Sequence, residues 1–314
     1  MKGNRGLSAE MFQALESGLL SPVLERVLND GTLDLEIRDD YINLYYRGGN
    51  LSKISRDPKG EFRLDFDDNY FEGIAAKKPN VPPKLLTEQD VGNWLSVVPE
   101  LKQGMDFWIA ANPRDEKEVQ QRIVRVNNRG KVATGTDYFI CDFEYQSPKG
   151  RFDLIGVRWP SKGHLRKRNR DLILSFIEVK YADGALRGKS GIVQHLADIQ
   201  TFIGIPDNLT GLAAEMKTVF NQKRHLSLID NQKDIEEFGL DKVELMFVLA
   251  NHDPESKILK DELDNLQSTA QVEVTVATAN LMGYGLYLDG IFPLEVFKAK
   301  YPDRIYCKEG GKDA

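Results

Sequence analysis

The sequence predicts an α/β (α+β) protein: an N-terminal helix and antiparallel β-meander, then a central mixed β-sheet flanked by helices. Three observations predict it. Residues 33–66 alternate apolar and polar side chains between turn signals, the period-two pattern of half-buried strands. From residue 115 the order becomes helix, three strand-like runs, helix, strand, which requires both antiparallel and parallel neighbours. Between the two lies KKPNVPPK (77–84), a proline-rich connection. The expected organisation is therefore 1–110, a candidate region for substrate or partner recognition, and 111–314, the larger α/β domain.

Each element has its own signal. Residues 8–29 carry helical periodicity interrupted at Ser21-Pro22. In LDLEIRDDYINLYYRGGNLSKISRDPKGEFRLDF, turns are expected at Asp39-Asp40, Gly48-Gly49-Asn50 and 57–60. Its tyrosines, beside Arg47 and Lys53, suit either the meander's own core face or stacking on unpaired bases, with the core reading favoured. Residues 87–110 are helical in part. DEKEVQQRIVRVNN (115–128) places Val119, Ile123 and Val126 on one helical face, with Gly130 near its end. Strands are expected at 137–145, 151–159 and 171–181, then a helix with the stripe Ile192, Leu196, Ile199 and Ile203. Further strands are expected at 243–251 and 272–280, with helices between.

Composition excludes several classes. The 314 residues are 41% hydrophobic and 29% charged, ordinary for a globular chain, and no apolar run approaches the roughly 20 residues of a membrane span. The opening MKGNRGLSAEMFQALESG lacks the apolar core of a signal peptide. Two cysteines, Cys141 and Cys307, make no disulfide framework, and four scattered histidines give no zinc-ligand spacing. A cytoplasmic, reduced protein with no membrane partner is the expectation.

The net charge of −6 hides an uneven distribution. Residues 149–189 hold eleven Lys and Arg against four acids, a surplus of seven, which leaves −13 for the rest of the chain. SKGHLRKRNR (161–170) contains five basic residues and no acid. Charge of one sign gathered in one segment attracts phosphate even on an acidic protein. It is also a common form of solvated loop.

The chemistry lies in Glu178-Val179-Lys180. In a strand, i and i+2 project to one face, so Glu178 and Lys180 point together while Val179 turns back with Ile177. Asp153 sits in the apolar run RFDLIGVRW, where an unpaired carboxylate would be costly. If the two runs pair, Asp153 and Glu178 converge. Two carboxylates with a backbone carbonyl, such as that of Val179, form a hard oxygen set suited to Mg²⁺, with Mn²⁺ as a substitute. A neighbouring lysine orients or deprotonates a water and stabilises charge on an attacked phosphate.

This arrangement resembles the PD-(D/E)XK nuclease superfamily, the restriction-endonuclease-like fold, over roughly residues 115–250. The resemblance implies a metal-dependent nuclease acting on nucleic acid, with DNA the expected substrate and a homodimer one expected assembly. Asp153 and Glu178 match the metal carboxylates and Lys180 the lysine. Glu118 matches a helix glutamate, and Gln194 a glutamine facing the site. Phe152 stands where the family's name has proline. The 25 positions separating Asp153 from Glu178 exceed those of compact members, the excess being the basic segment. That segment then becomes a hairpin tip close to the site, with Arg166, Lys167, Arg168 and Arg170 on the phosphate backbone. Arg187 and Lys189, in the glycine-rich GALRGKS (184–190), are expected to touch phosphate as well. His195 is read as ordinary, since the mechanism does not require it.

Two other readings remain. A nucleic-acid-binding or scaffold protein could keep this fold without turnover. A nucleotide hydrolase could use 184–190 as a phosphate loop with Asp253 beyond a later strand, but Gly184 and Gly188 enclose three residues where that loop needs four.

Overall fold

The computed structural model describes residues 5–73, 77–148, 150–231, 233–252, 256–279 and 291–300. Asp253, Lys149 and Cys307 lie outside them. The chain forms two compact units: residues 1–121 with 218–232, and residues 122–217 with 233–314. The first division falls at 121/122, where the sequence suggested 110/111, and residues 218–232 return to the first unit.

The first unit opens with α1 (Ala9–Glu16), whose N-cap Ser8 accepts from the Met11 amide, and α2 (Ser21–Asn29), with Pro22 in its first turn. Proline there loses no helical hydrogen bond, so the interruption read from the sequence begins a second helix. An antiparallel sheet follows in chain order: β1 (Leu33–Ile37), β2 (Tyr41–Tyr46), β3 (Gly49–Arg56), β4 (Phe62–Asp65) and β5 (Lys84–Leu85). The β2–β3 turn is Arg47-Gly48, both at positive φ (48° and 72°), and Gly49 and Asn50 already belong to β3. Two left-handed residues match the twist of a two-residue hairpin. A Cβ on Gly48 would lie 2.5 Å from the Lys117 carbonyl carbon, so the turn requires glycine.

Both faces of β1 are covered. Leu33, Leu35 and Ile37 enter one core, while Asp34, Glu36 and Arg38 are each no more than 4% exposed on the other face. Lys223 of α8 (Asn208–His225) donates to both Glu36 oxygens at 2.8 and 2.7 Å. Tyr45 and Tyr46 are buried in this unit. The expected partial helix at 87–110 is one helix, α3 (Glu88–Ala111), opened by a Thr87/Asp90 capping box and continuous through Pro99. Its Trp108 meets Tyr70 edge-on with ring centres 5.3 Å apart.

The second unit holds a six-stranded sheet ordered β11-β10-β9-β8-β7-β6. Helix α4 (Asp115–Asn128) and the single turn α5 (Gly130–Ala133) precede β6 (Tyr138–Ser147) and β7 (Gly150–Arg158). After the short α6 (Gly163–Arg166) come β8 (Leu172–Tyr181) and α7 (Ile192–Gly204). Then follow β9 (Phe238–Ala250), α9 (Lys257–Asp264), β10 (Val272–Ala279), β11 (Phe292–Pro293) and α10 (Leu294–Lys300). β6, β7 and β8 pair antiparallel; β8–β9 and β9–β10 are parallel, joined by helical crossovers. The mixed sheet expected from the element order is present.

α7 buries Ile192, Leu196, Ile199 and Phe202, the last in the place expected for Ile203. Phe202 meets Phe152 of β7 edge-on at 5.2 Å, and Phe152 meets Phe176 of β8 at 4.8 Å. This aromatic cluster ties helix, hairpin and central strand together beside Asp153. Among the described residues no helix is long and apolar enough to cross a membrane.

Candidate active site

The β7–β8 ladder runs from Arg158↔Ile173 to Leu154↔Ile177 and then opens. Beyond that rung, the Val179 amide donates to Asp153 Oδ2 at 3.0 Å, and the Asp153 amide faces Glu178 Oε1 at 3.4 Å. Side-chain carboxylates have replaced ladder carbonyls where the two strands part. β8 stays paired with β9 through Tyr181↔Ala250, so Glu178, Val179 and Lys180 sit on a rigid central strand. The site lies toward the carboxyl ends of two parallel strands, where open α/β sheets commonly bind ligands.

Glu178 is fully buried, Lys180 is 4% exposed, and Asp153 is half-buried. Burial first, and then the neighbouring Asp153 carboxylate, push the Glu178 acid well above its usual range, against the opposing pull of Lys180. Lys180 Nζ stands 3.8 Å from Glu178 Oε2. That oxygen is buried and accepts no hydrogen bond. His195 Nδ1 is 3.2 Å away from it, but off the line a hydrogen bond needs.

A second buried glutamate in the same sheet gives the contrast. Glu244 accepts from Tyr138 at 2.9 Å, Ser175 at 2.6 Å, Thr275 at 3.1 Å and Arg158 at 3.2 Å. Glu244 is held as a structural anchor; Glu178 keeps an oxygen without a donor.

Asp153, Glu178 and the Val179 main chain offer oxygen donors to a divalent cation, and the unsatisfied Glu178 oxygen fits that use. Among the described residues no group of three His, Cys, Asp or Glu side chains converges as a metal cage.

α7 presents His195 to this site. Its Nε2 is 3.0 Å from Lys180 Nζ, so the ring spans Lys180 and Glu178. Burial, and then the Lys180 charge, lower the His195 pKa below its usual 6.5, against Asp153, Asp198 and the Ser190 carbonyl. Gln194 instead lies on the exposed surface and donates to Asp198 at 2.7 Å. Glu118 belongs to the first unit, where it pairs with Arg47 at 2.7 Å. On β6, Glu144 falls between the rungs Phe143↔Leu154 and Tyr145↔Phe152 with φ at 54°, a strained conformation for a non-glycine residue.

The basic segment requires a correction. Asp153 lies near the start of β7 and Glu178 near the end of β8, so both stand at the open end of the hairpin. Residues 159–171 close its other end, roughly 17–20 Å away along the strands at about 3.4 Å per residue. The segment is a hairpin tip, but not one close to the site. Arg166 stacks over Phe139 at 4.8 Å and donates to the Thr136 carbonyl, and Arg170 pairs with Glu236. Lys167 and Arg168 are exposed.

The loop leading from β8 to α7 does adjoin the site end. It forms two single turns, Asp183–Ala185 and Gly188–Ser190, and Gly191 caps α7. Arg187 pairs with Asp261 and Glu262, both at 3.0 Å, while Lys189 is exposed.

No family model, curated protein or solved structure matches this chain.

Proposed function

We propose that the protein is a Mg²⁺-dependent nuclease that hydrolyses phosphodiester bonds in DNA, built on a restriction-endonuclease-like core. One observation carries the reading: Glu178, fully buried beside Asp153 and Lys180, keeps a carboxylate oxygen to which nothing donates. A buried acceptor left open in a well-packed sheet suits a cation. The element order α4, α5, β6, β7, α6, β8, α7, α8, β9, with the carboxylates on neighbouring strands, supports the same reading.

Asp153, Glu178 and the Val179 carbonyl would hold Mg²⁺ or Mn²⁺. When bound, the ion supplies Lewis acidity toward water and the scissile phosphate. Lys180 has two ammonium protons beyond the one directed at His195, and these orient the attacking water and stabilise charge on the phosphoryl oxygens. Lys189, on the loop at the site end, contributes positive charge toward the nucleic-acid backbone.

The test is incubation of linear DNA, circular DNA and RNA with purified protein in Mg²⁺, Mn²⁺ or EDTA. Metal-dependent cutting of DNA is expected, with loss of at least about a hundredfold in folded Lys180→Ala and Asp153→Asn. Uncut DNA in every metal would refute it.

The lack of a three-side-chain cage among the described residues favours one second reading, a nucleic-acid-binding protein without turnover. That protein would retain DNA equally in Mg²⁺ and EDTA.

A further inference from the structure

His195 touches both charged groups of the site, and the chemistry of its two contacts fixes the state of its ring. The Lys180 ammonium has protons and no lone pair, so the imidazole nitrogen 3.0 Å from it, Nε2, must be the acceptor. A ring with its lone pair on Nε2 carries its proton on Nδ1. Nδ1 is the nitrogen 3.2 Å from Glu178 Oε2, off the line of a hydrogen bond to it. A nitrogen bearing a proton cannot ligate a metal.

We propose that Lys180 holds His195 in the Nδ1–H tautomer, keeping the carboxylate site all-oxygen and selective for hard cations such as Mg²⁺ over Zn²⁺. The selectivity rests on the metal reading above; the tautomer rests on the contact between the Lys180 ammonium and Nε2. A neutral imidazole beside the Glu178 carboxylate would otherwise offer Zn²⁺ a nitrogen, which it binds more strongly than Mg²⁺ does. Here the lysine engages the lone pair at Nε2 and turns the proton toward the metal-facing side. His195 is then a positioning residue, and Lys180 sets metal choice besides assisting hydrolysis. Lys180 lies on β8 and His195 on α7, and the Phe152–Phe176–Phe202 cluster fixes helix against strand.

The test has two arms, both independent of turnover. In the first, the full-length metal-free protein is labelled with ¹⁵N-histidine, and long-range ¹⁵N–¹H spectra report the tautomer of each ring. His195→Gln assigns the resonance among the four histidines. The expected result is Nδ1–H in the wild type and in Lys180→Arg, which also offers only donors, with a shift toward Nε2–H in Lys180→Met. An Nε2–H ring in the wild type overturns the proposal, and that spectrum needs no variant to fold. So does a tautomer unchanged in folded Lys180→Met.

In the second arm, calorimetry with Mg²⁺, Mn²⁺ and Zn²⁺ compares wild type with Lys180→Met and the double variant Lys180→Met/His195→Gln. Zn²⁺ affinity is expected to rise at least tenfold in Lys180→Met and fall back in the double variant. Unchanged Zn²⁺ affinity in Lys180→Met overturns the selectivity claim. A wild type with the expected tautomer but no Mg²⁺ or Mn²⁺ binding would instead remove the metal reading and, with it, the selectivity. The two failures are thus distinguishable.

Discussion

Replacing Glu178 by Gln tests whether this carboxylate serves the fold or a ligand. Its Oε2 accepts no hydrogen bond, so no bond is lost at that atom. Its Oε1 faces the Asp153 amide at 3.4 Å, and the Gln carbonyl can occupy the same place. The attraction to Lys180 acts across 3.8 Å and is outweighed by burial and by the Asp153 charge, since the acid is pushed above its usual range. The amide should therefore stabilise the metal-free protein at pH 8 while abolishing metal binding. Glu244→Gln should do the reverse. It removes the charge from the part-buried pair with Arg158 at 3.2 Å and should cost about 3 kcal/mol.

The pH dependence follows the same sign. A raised folded-state pKa means that the stability contributed by protonated Glu178 is present below its unfolded value of 4.5. It is lost as pH rises through the folded value. The advantage of Glu178→Gln over wild type should grow upward from pH 4.5 in EDTA, and saturating Mg²⁺ should narrow it by stabilising wild type alone. Urea denaturation at several pH values reads both effects. A Glu178→Gln protein less stable than wild type by 1 kcal/mol or more at pH 8 in EDTA would refute the reasoning and make Glu178 a second structural anchor.

Other perturbations address the first unit. Lys223→Met strands buried Glu36 and should cost about 3 kcal/mol in urea denaturation, with Arg38 still 3.8 Å from that carboxylate; a loss under 1 kcal/mol would contradict the pairing. Gly48→Ala places a Cβ 2.5 Å from the Lys117 main chain at φ 72° and should cost at least about 2 kcal/mol, read as a fall in Tm. Burial would raise the Asp30 pKa, but hydrogen bonds from Thr32 and Lys102 override it and lower the group from 3.8 to about 2. Its stabilisation is present above 3.8 and lost as pH falls through about 2, so Asp30→Asn should flatten acid unfolding in that window by about 1 kcal/mol after allowing for solvent.

Much of the architecture was legible because local patterns matched tertiary demands. The meander's alternation, Pro22 opening a helix and the α7 stripe are properties of neighbouring residues, and each is observed. The convergence of Asp153 and Glu178 required only that two apolar runs pair as neighbours. What escaped depended on distant partners or on phase. The polar stripe of β1 meets Lys223, 187 positions away in the chain, and no local pattern encodes that. His195 was available in the sequence: it lies three residues after Ile192 and four before Ile199, within the buried stripe, whereas Gln194 does not. The family pattern drew attention to the glutamine and away from helical phase. The error over the basic segment was topological. An antiparallel hairpin separates its tip from its open end, whatever the charge on the tip.

That geometry changes what a motif interval means. In a hairpin of this kind, the residues separating aspartate from glutamate are the rungs plus the cap. Rungs hold the two carboxylates in register; the cap closes the far end. Here 13 of the intervening residues, 159–171, lie outside both strands, so a change in their number alters the interval without adding or removing a rung between the carboxylates and the cap. The interval is a gauge of the cap, not of the chemistry. A search that penalises long gaps would pass over chains like this one while the arrangement of their carboxylates stayed intact.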